Sequence, residues 1–187
     1  MPTGYQIANQ DAAYYLTIQV VYWIDLFSRQ QYRDIVIESL RYCQKNKGLE
    51  IYAWVIMSNH IHLVVRSSIS DLSGTIRDFK KFTSKQIIDY IEQGNESRKN
   101  WMLRLFAHAA QRQNKKGQHQ VWTHENHAVE LISNKFIDQK IDYVHMNPVR
   151  AGIVTKPEQY IYSSAACYND EKGLLDIIKV SMTWKTI

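Results

Sequence analysis

Hydrophobic positions along this chain switch between a strand period and a helix period, and the switches outline its elements. Residues 12–24 (Ala-Ala-Tyr-Tyr-Leu-Thr-Ile-Gln-Val-Val-Tyr-Trp-Ile) are dense in β-branched and aromatic types and read as a first strand. Across residues 31–46, Ile35, Val36, Leu40 and Cys43 recur at helical spacing, and Gly48 supplies the stop. A second strand over residues 49–57 and a third over 60–67 flank a short Ser58-Asn59 turn, which predicts an antiparallel hairpin. Residues 71–93 read as a long helix with an apolar stripe of Ile76, Phe79, Ile87 and Ile91 and a basic flank of Arg77, Lys80, Lys81 and Lys85. The polar tract 111–118 reads as a mobile loop and residues 120–131 as a fourth strand. Ser133 then reads as the N-cap of a helix that runs to Asn147 and is ended by Pro148. The order β-α-β-β-α-β, followed by another helix, predicts an α+β fold: a ferredoxin-like (RRM-like) antiparallel sheet with helices packed on one face.

At 187 residues, 45% hydrophobic and 22% charged, the chain fits one domain over residues 1–187 with room for a substantial core. No run approaches about 18 apolar residues and the first residues lack signal-peptide order, so a cytoplasmic protein without a membrane partner is expected. Cys43 and Cys167 lie far apart and imply neither a disulfide framework nor a thiolate zinc site. The net charge of +5 says less than its distribution: between Ser97 and His124 there is no Asp or Glu, against Arg98, Lys99, Arg104, Arg112, Lys115 and Lys116. This basic, partly flexible insertion near residues 95–119 reads either as a phosphate-contacting surface or as a solvated loop. Trp23, Trp54 and Trp122 read as core, although an exposed tryptophan can stack on an unpaired base.

Candidate chemistry begins at Asn59-His60-Ile61-His62. Side chains alternate faces along a strand, so His60 and His62 point the same way and Ile61 the other. Two imidazoles side by side suit a divalent metal. The second group is the segment from Tyr143 through Gly152, Tyr-Val-His-Met-Asn-Pro-Val-Arg-Ala-Gly. One helical turn separates Tyr143 from Asn147, so both project from one face. A phenol, with a pKa of about 10, becomes a useful nucleophile beside a metal or a base. Asn147 offers a carbonyl oxygen suited to magnesium or manganese beside two imidazoles. His145 faces elsewhere on the helix and reads as structural.

Together, these two segments resemble known enzymes. His60-Ile61-His62 resembles the His-hydrophobic-His signature of the HUH endonucleases, and the Tyr143 segment is similar to that of the REP-associated tyrosine transposases. The resemblance implies that Tyr143 attacks a phosphate of single-stranded DNA, stays joined to the 5′ side and leaves a free 3′-OH. It implies that His60, His62 and Asn147 hold a divalent ion, Mg2+ or Mn2+. It also implies hairpin DNA as partner, a nucleoid-associated location, and action as a monomer or homodimer. Arg77, Lys80, Lys81, Lys85, Arg98, Lys99, Arg104 and Arg150 are the candidate DNA-contacting cations, assigned on charge. A replication-initiator or relaxase-type HUH nuclease and a catalytically silent DNA- or RNA-hairpin-binding module stay open as alternatives.

Overall fold

A computed structural model describes residues 6–113 and 118–180. Four antiparallel strands, β1 (Tyr14–Gln19), β2 (Leu49–Ile56), β3 (His60–Ser67) and β4 (Val129–Glu130), form a sheet in the order β2-β3-β1-β4. Alternation along the two central strands sorts their side chains. Leu16, Ile18, Ile61, Leu63 and Val65 enter one large core, while Tyr15 and Val64 belong to a second, smaller cluster on the other face. In β2 a bulge leaves Tyr52 unmatched between the pairs Ile51↔Val65 and Ala53↔Val64. That extra residue flips the parity, so Ile51, Trp54 and Ile56 all reach the large core and Ala53 and Val55 the small one.

Three helices cover the large core: α1 (Gln30–Lys47), α2 (Leu72–Gln93) and α3 (Lys99–Arg112). Gly48 ends α1 at φ +61, a left-handed position where a Cβ would also meet Ser68 Oγ at 2.6 Å. Asp71 caps α2 by accepting from Gly74 N. The helix α4 (Asn134–Arg150) covers the opposite face, where Ile141 and Val144 pack on Ala53, Val55 and Val64. The antiparallel α+β sheet is therefore as expected, but its helices occupy both faces, with α4 over the smaller cluster. A short α5 (Ala165–Tyr168) follows. Among the described residues no helix is long and apolar enough to cross a membrane.

Four expectations change in detail. The first strand stops at Gln19, because Tyr22 and Trp23 both take left-handed backbone at φ 55. The basic stretch near residues 95–119 is mostly helix, because Met102, Phe106, Ala109 and Ala110 form a buried stripe that its polar composition hid; Lys115 and Lys116 lie outside the described residues. Of residues 120–131 only Val129–Glu130 is regular strand. The rest runs irregularly beside β1, through Thr123 N→Gln19 O and Thr17 N→Asn126 O, each 2.8 Å, with His127 at φ 41. Finally, Pro148 lies inside α4 rather than ending it. Gly152 at φ +69 makes the stop, with Gly152 N→Val149 O and Ile153 N→Pro148 O both 2.9 Å, the paired bonds of a Schellman motif.

Candidate active site

The face of the sheet under α4 carries the two histidines with their Nε2 atoms 3.1 Å apart. Each Nδ1 is tied to a fixed partner. His60 Nδ1 lies 2.8 Å from Asn59 Oδ1, and the Asn59 amide is oriented because its Nδ2 donates to Asp25 Oδ1 at 3.1 Å and to Trp23 O at 3.4 Å. An amide oxygen only accepts, so this orientation assigns the His60 proton to Nδ1 and leaves Nε2 bare. His62 Nδ1 lies 2.8 Å from Tyr15 Oη and 3.0 Å from Thr17 Oγ1, and Thr17 stands directly across β1–β3 from His62. Burial holds the pKa of His60 below its ordinary value. Burial, then the neighbouring His60 and Lys140, pushes His62 down to about 3. Both rings are thus neutral near pH 7, as ligands must be.

This donor set fits a divalent ion. An octahedral ion with ligands at about 2.1 Å places neighbouring donors about 3.0 Å apart, close to the observed Nε2 spacing. With the His60 proton on Nδ1, His62 Nε2–H can donate to His60 Nε2 across that gap. A cation bound by both Nε2 atoms would need the His62 proton on Nδ1, where the Tyr15 or Thr17 hydroxyl oxygen can accept it. Among the described residues no group of three or more His, Cys, Asp and Glu gathers here, so the remaining ligands would be neutral or come from substrate.

Tyr143 arrives from α4. Its ring stands 5.6 Å from the His62 ring and 6.0 Å from the Tyr15 ring, centroid to centroid, and it is 39% exposed. The neighbouring phenol, Tyr15, is buried, and that burial raises its pKa well above the usual value. Two cations flank the Tyr143 ring. Arg150 places its guanidinium 5.1 Å from the ring centroid, and Lys140 places Nζ 5.7 Å away. Lys140 Nζ also stands 4.6 Å over the Tyr15 ring and 5.4 Å over Phe136.

Of the predicted residues, then, His60, His62, Tyr143 and Arg150 come together. Asn147 is one turn from Tyr143 as expected, but its Nδ2 donates to Tyr143 O at 2.8 Å and it bonds neither histidine. His145 is structural, paired with Ser164 Oγ at 2.9 Å. Two of the expected DNA-contacting cations have protein partners. Arg98 grips the buried Glu96 carboxylate and the Asp25 carbonyl, and Lys80 Nζ satisfies Thr123 O, His124 O and Asn126 Oδ1. Lys99 donates to Glu92 O, Lys85 pairs with Asp89 and Arg77 with Asp78, so these sit in local surface contacts. Lys81 and Arg104 are exposed. Trp54 and Trp122 are core, but Trp23 is 62% exposed and meets the His60 ring edge-on.

Lys140 and Asn59 were missed from sequence. Lys140 precedes Tyr143 by three positions, so helical spacing alone places it on the Tyr143 face. Asn59 read as a turn former, although its position next to His60 also lets it fix that ring's tautomer.

A model of IS200-like transposases matches residues 9–120, a span that contains both histidines. No curated protein matches the chain. A solved structure of a REP-associated tyrosine transposase bound to a REP hairpin has the same fold, with TM-score 0.63 and 16% identity over 99% of each chain. Since the family model matches more than half of the chain and the likeness in fold extends through α4, the chain belongs to the IS200-like transposase family.

Proposed function

We propose that this protein is a single-strand DNA endonuclease and strand transferase of the REP-associated type, cutting at or near a palindromic hairpin through Tyr143. The observation that carries this reading is the meeting of two segments distant in sequence: the Tyr143 ring stands 5.6 Å from that of His62, which in turn faces His60. Membership in a transposase family and the shared fold with a hairpin-bound relative support it.

The chemistry follows from the placement. The Tyr143 phenolic oxygen attacks the scissile phosphorus, its proton passing to water. The bond from phosphorus to the 3′-oxygen breaks, and that oxygen takes up a proton and leaves as a free 3′-OH. One phosphodiester is exchanged for one phosphotyrosyl ester, so a later 3′-OH can reverse the step without another energy source. Lys140 and Arg150 lie beside the ring, where a phosphate must sit to be attacked, and their charges stabilise the dianionic transition state. A divalent ion held by His60 and His62, with Asn147 Oδ1 as a third donor, would supply Lewis-acid polarisation of the phosphate. Asn59, Tyr15 and Thr17 hold the two rings so that both Nε2 atoms face the phosphate. Because Tyr143 reaches the histidines of its own chain, this reading has the site assembled within one protomer.

The test is incubation with single-stranded DNA from hairpins flanking the gene, with Mg2+ or Mn2+, followed by denaturing electrophoresis. A denaturant-stable protein–DNA adduct, lost with EDTA and lost in Tyr143→Phe, is the expected result. Tight binding without an adduct under either metal would reassign the protein as a silent hairpin-binding module.

A further inference from the structure

The segment leaving β1 turns outward in an unusual way. Val20 and Val21 are buried, Tyr22 and Trp23 are exposed, and Ile24, Leu26 and Phe27 are buried again. Main-chain bonds anchor both ends: Val20 N→Asn59 O and Val21 N→Val121 O at 2.9 Å, and Phe27 N→Ser58 O at 2.8 Å. Between these anchors, two consecutive aromatic residues hold φ 55, a region that bulky side chains rarely enter. Tyr22 is pinned, its ring stacked on His108 with 26° between planes and its Oη 2.8 Å from His108 Nδ1. Trp23 is left projecting, with 62% of its surface open.

Its surroundings give the exposure a purpose. The Trp23 ring meets His60 edge-on, 6.3 Å between centroids with planes at 79°. The Trp23 carbonyl accepts from Asn59 Nδ2, and the oxygen of that same amide fixes His60 Nδ1. One carboxamide therefore ties the Trp23 backbone and the His60 ring into a single frame. The indole stands next to the place where the cleavage reading puts the scissile phosphate, and the anchored backbone beneath it lowers the cost of ordering it on binding.

We infer that Trp23 is the stacking wall for an unpaired base of single-stranded DNA next to the scissile phosphate, so that it sets the register in which the strand enters the site. This inference rests on the cleavage reading and adds the subsite that positions its substrate. An unpaired base offers a flat face of the right size, and stacking on an aromatic residue tolerates any base. The wall thus fixes where the strand is cut relative to the hairpin rather than which base stands there.

The test uses the full chain in a Tyr143→Phe background, so that no adduct removes substrate, with the single-stranded hairpin oligonucleotide described above. Trp23→Ala is expected to weaken binding by about 5- to 150-fold, while Trp23→Phe, which keeps a ring, retains most of the affinity. Oligonucleotides with one abasic site moved along the strand should identify a single position whose loss weakens the parent protein and is neutral in Trp23→Ala. That coupling is a readout that simple misfolding does not reproduce. Equal affinity of Trp23→Ala and parent, or abasic penalties that are the same in both, overturns the wall. So does a self-association that Trp23→Ala abolishes while its DNA affinity is unchanged, since the face would then serve a second copy. An adduct formed by the Tyr143-bearing protein alongside either result would leave the cleavage reading standing. Coupling to Trp23 with no adduct under either metal would do the reverse.

Discussion

The two faces of the sheet differ in what fills them. Toward α1, α2 and α3 the sheet is covered by a broad apolar core, Leu16, Ile18, Leu63, Phe79 and Phe106 among its members, with Glu96 as a buried charge nearby. Toward α4 the apolar cluster is small, just enough to seat Ile141 and Val144, and the rest of the face carries Tyr15, Thr17, His60 and His62. One strand serves both: β3 sends Ile61, Leu63 and Val65 into the core and His60 and His62 into the site. The core and the candidate site are thus separated by alternation along a single strand, and substitutions on either face should separate stability from the proposed chemistry.

The largest expected effect is on the α4 face and on chemistry alone. Tyr143→Phe should remove adduct formation by more than about 10⁴-fold, because no other group replaces the nucleophile. Tyr15→Phe, 6.0 Å away, should only slow the reaction by loosening His62. Adduct persisting in Tyr143→Phe but not in Tyr15→Phe would exchange their roles. Electrophoresis of both variants decides it.

On the opposite face the largest expected effect is on stability. Burial would raise the Glu96 pKa, but hydrogen bonds from the Arg98 side chain and backbone and from Tyr32 outweigh it and hold the carboxyl down at about 2, against 4.5 ordinarily. A carboxylate with a depressed folded pKa stabilises the fold above its unfolded pKa, and that contribution is lost as pH falls from about 4.5 towards about 2. Glu96→Gln should cost about 3–5 kcal/mol at pH 7, since it leaves Arg98 without its buried partner. The deficit should shrink when denaturant titrations are repeated at pH 3. A deficit independent of pH would show that the ion pairs contribute nothing.

Neighbours on β3 give the sharpest contrast. Leu63→Ala opens the core and should cost about 2–5 kcal/mol, with the cleavage rate per folded molecule little changed. His62→Ala should stop cleavage and abolish stabilisation by metal. At a manganese concentration a hundredfold above its Kd, the wild-type protein should gain about 2.7 kcal/mol, read as a rise in Tm that His62→Ala lacks. A Tm that rises equally in both proteins would remove His62 from the metal site.

How much of this was legible in the sequence depends on how local each cause is. The hairpin, α1, α2 and the start of α4 follow from periodicity and caps, and β3 keeps its predicted limits of His60 and Ser67. The histidine pair and Tyr143 were legible as candidates because alternation and helical spacing are local rules. What was not legible is what depends on partners distant in sequence. The charge of Arg98 and Lys80 suggested DNA, but whether a surface cation is free depends on which carboxylate or carbonyl folding brings to it. Trp23 read as core because its neighbours are apolar, and only a left-handed backbone, set by bonds to Asn59 and Val121, turns it outward. Pro148 read as a stop, yet a proline in the last turn frees only one carbonyl, and Gly152 provides a better stop one turn later.

The smallest of these effects tests the cations at Tyr143. Lys140 sits over three aromatic rings and forms no ion pair among the described residues, so its charge faces the site and not a carboxylate. Lys140→Met keeps the stem that packs on those rings and removes only the charge, which isolates electrostatics from packing. If the ammonium stabilises the transition state, the adduct should form about 10- to 100-fold more slowly, with DNA affinity reduced far less. Lys80→Met is the control. Its ammonium satisfies carbonyls beside β1, so it should lower Tm and leave the rate per folded molecule alone. Equal losses of affinity and rate in Lys140→Met would make Lys140 a uniform phosphate contact, and stabilisation of the transition state would then fall to Arg150.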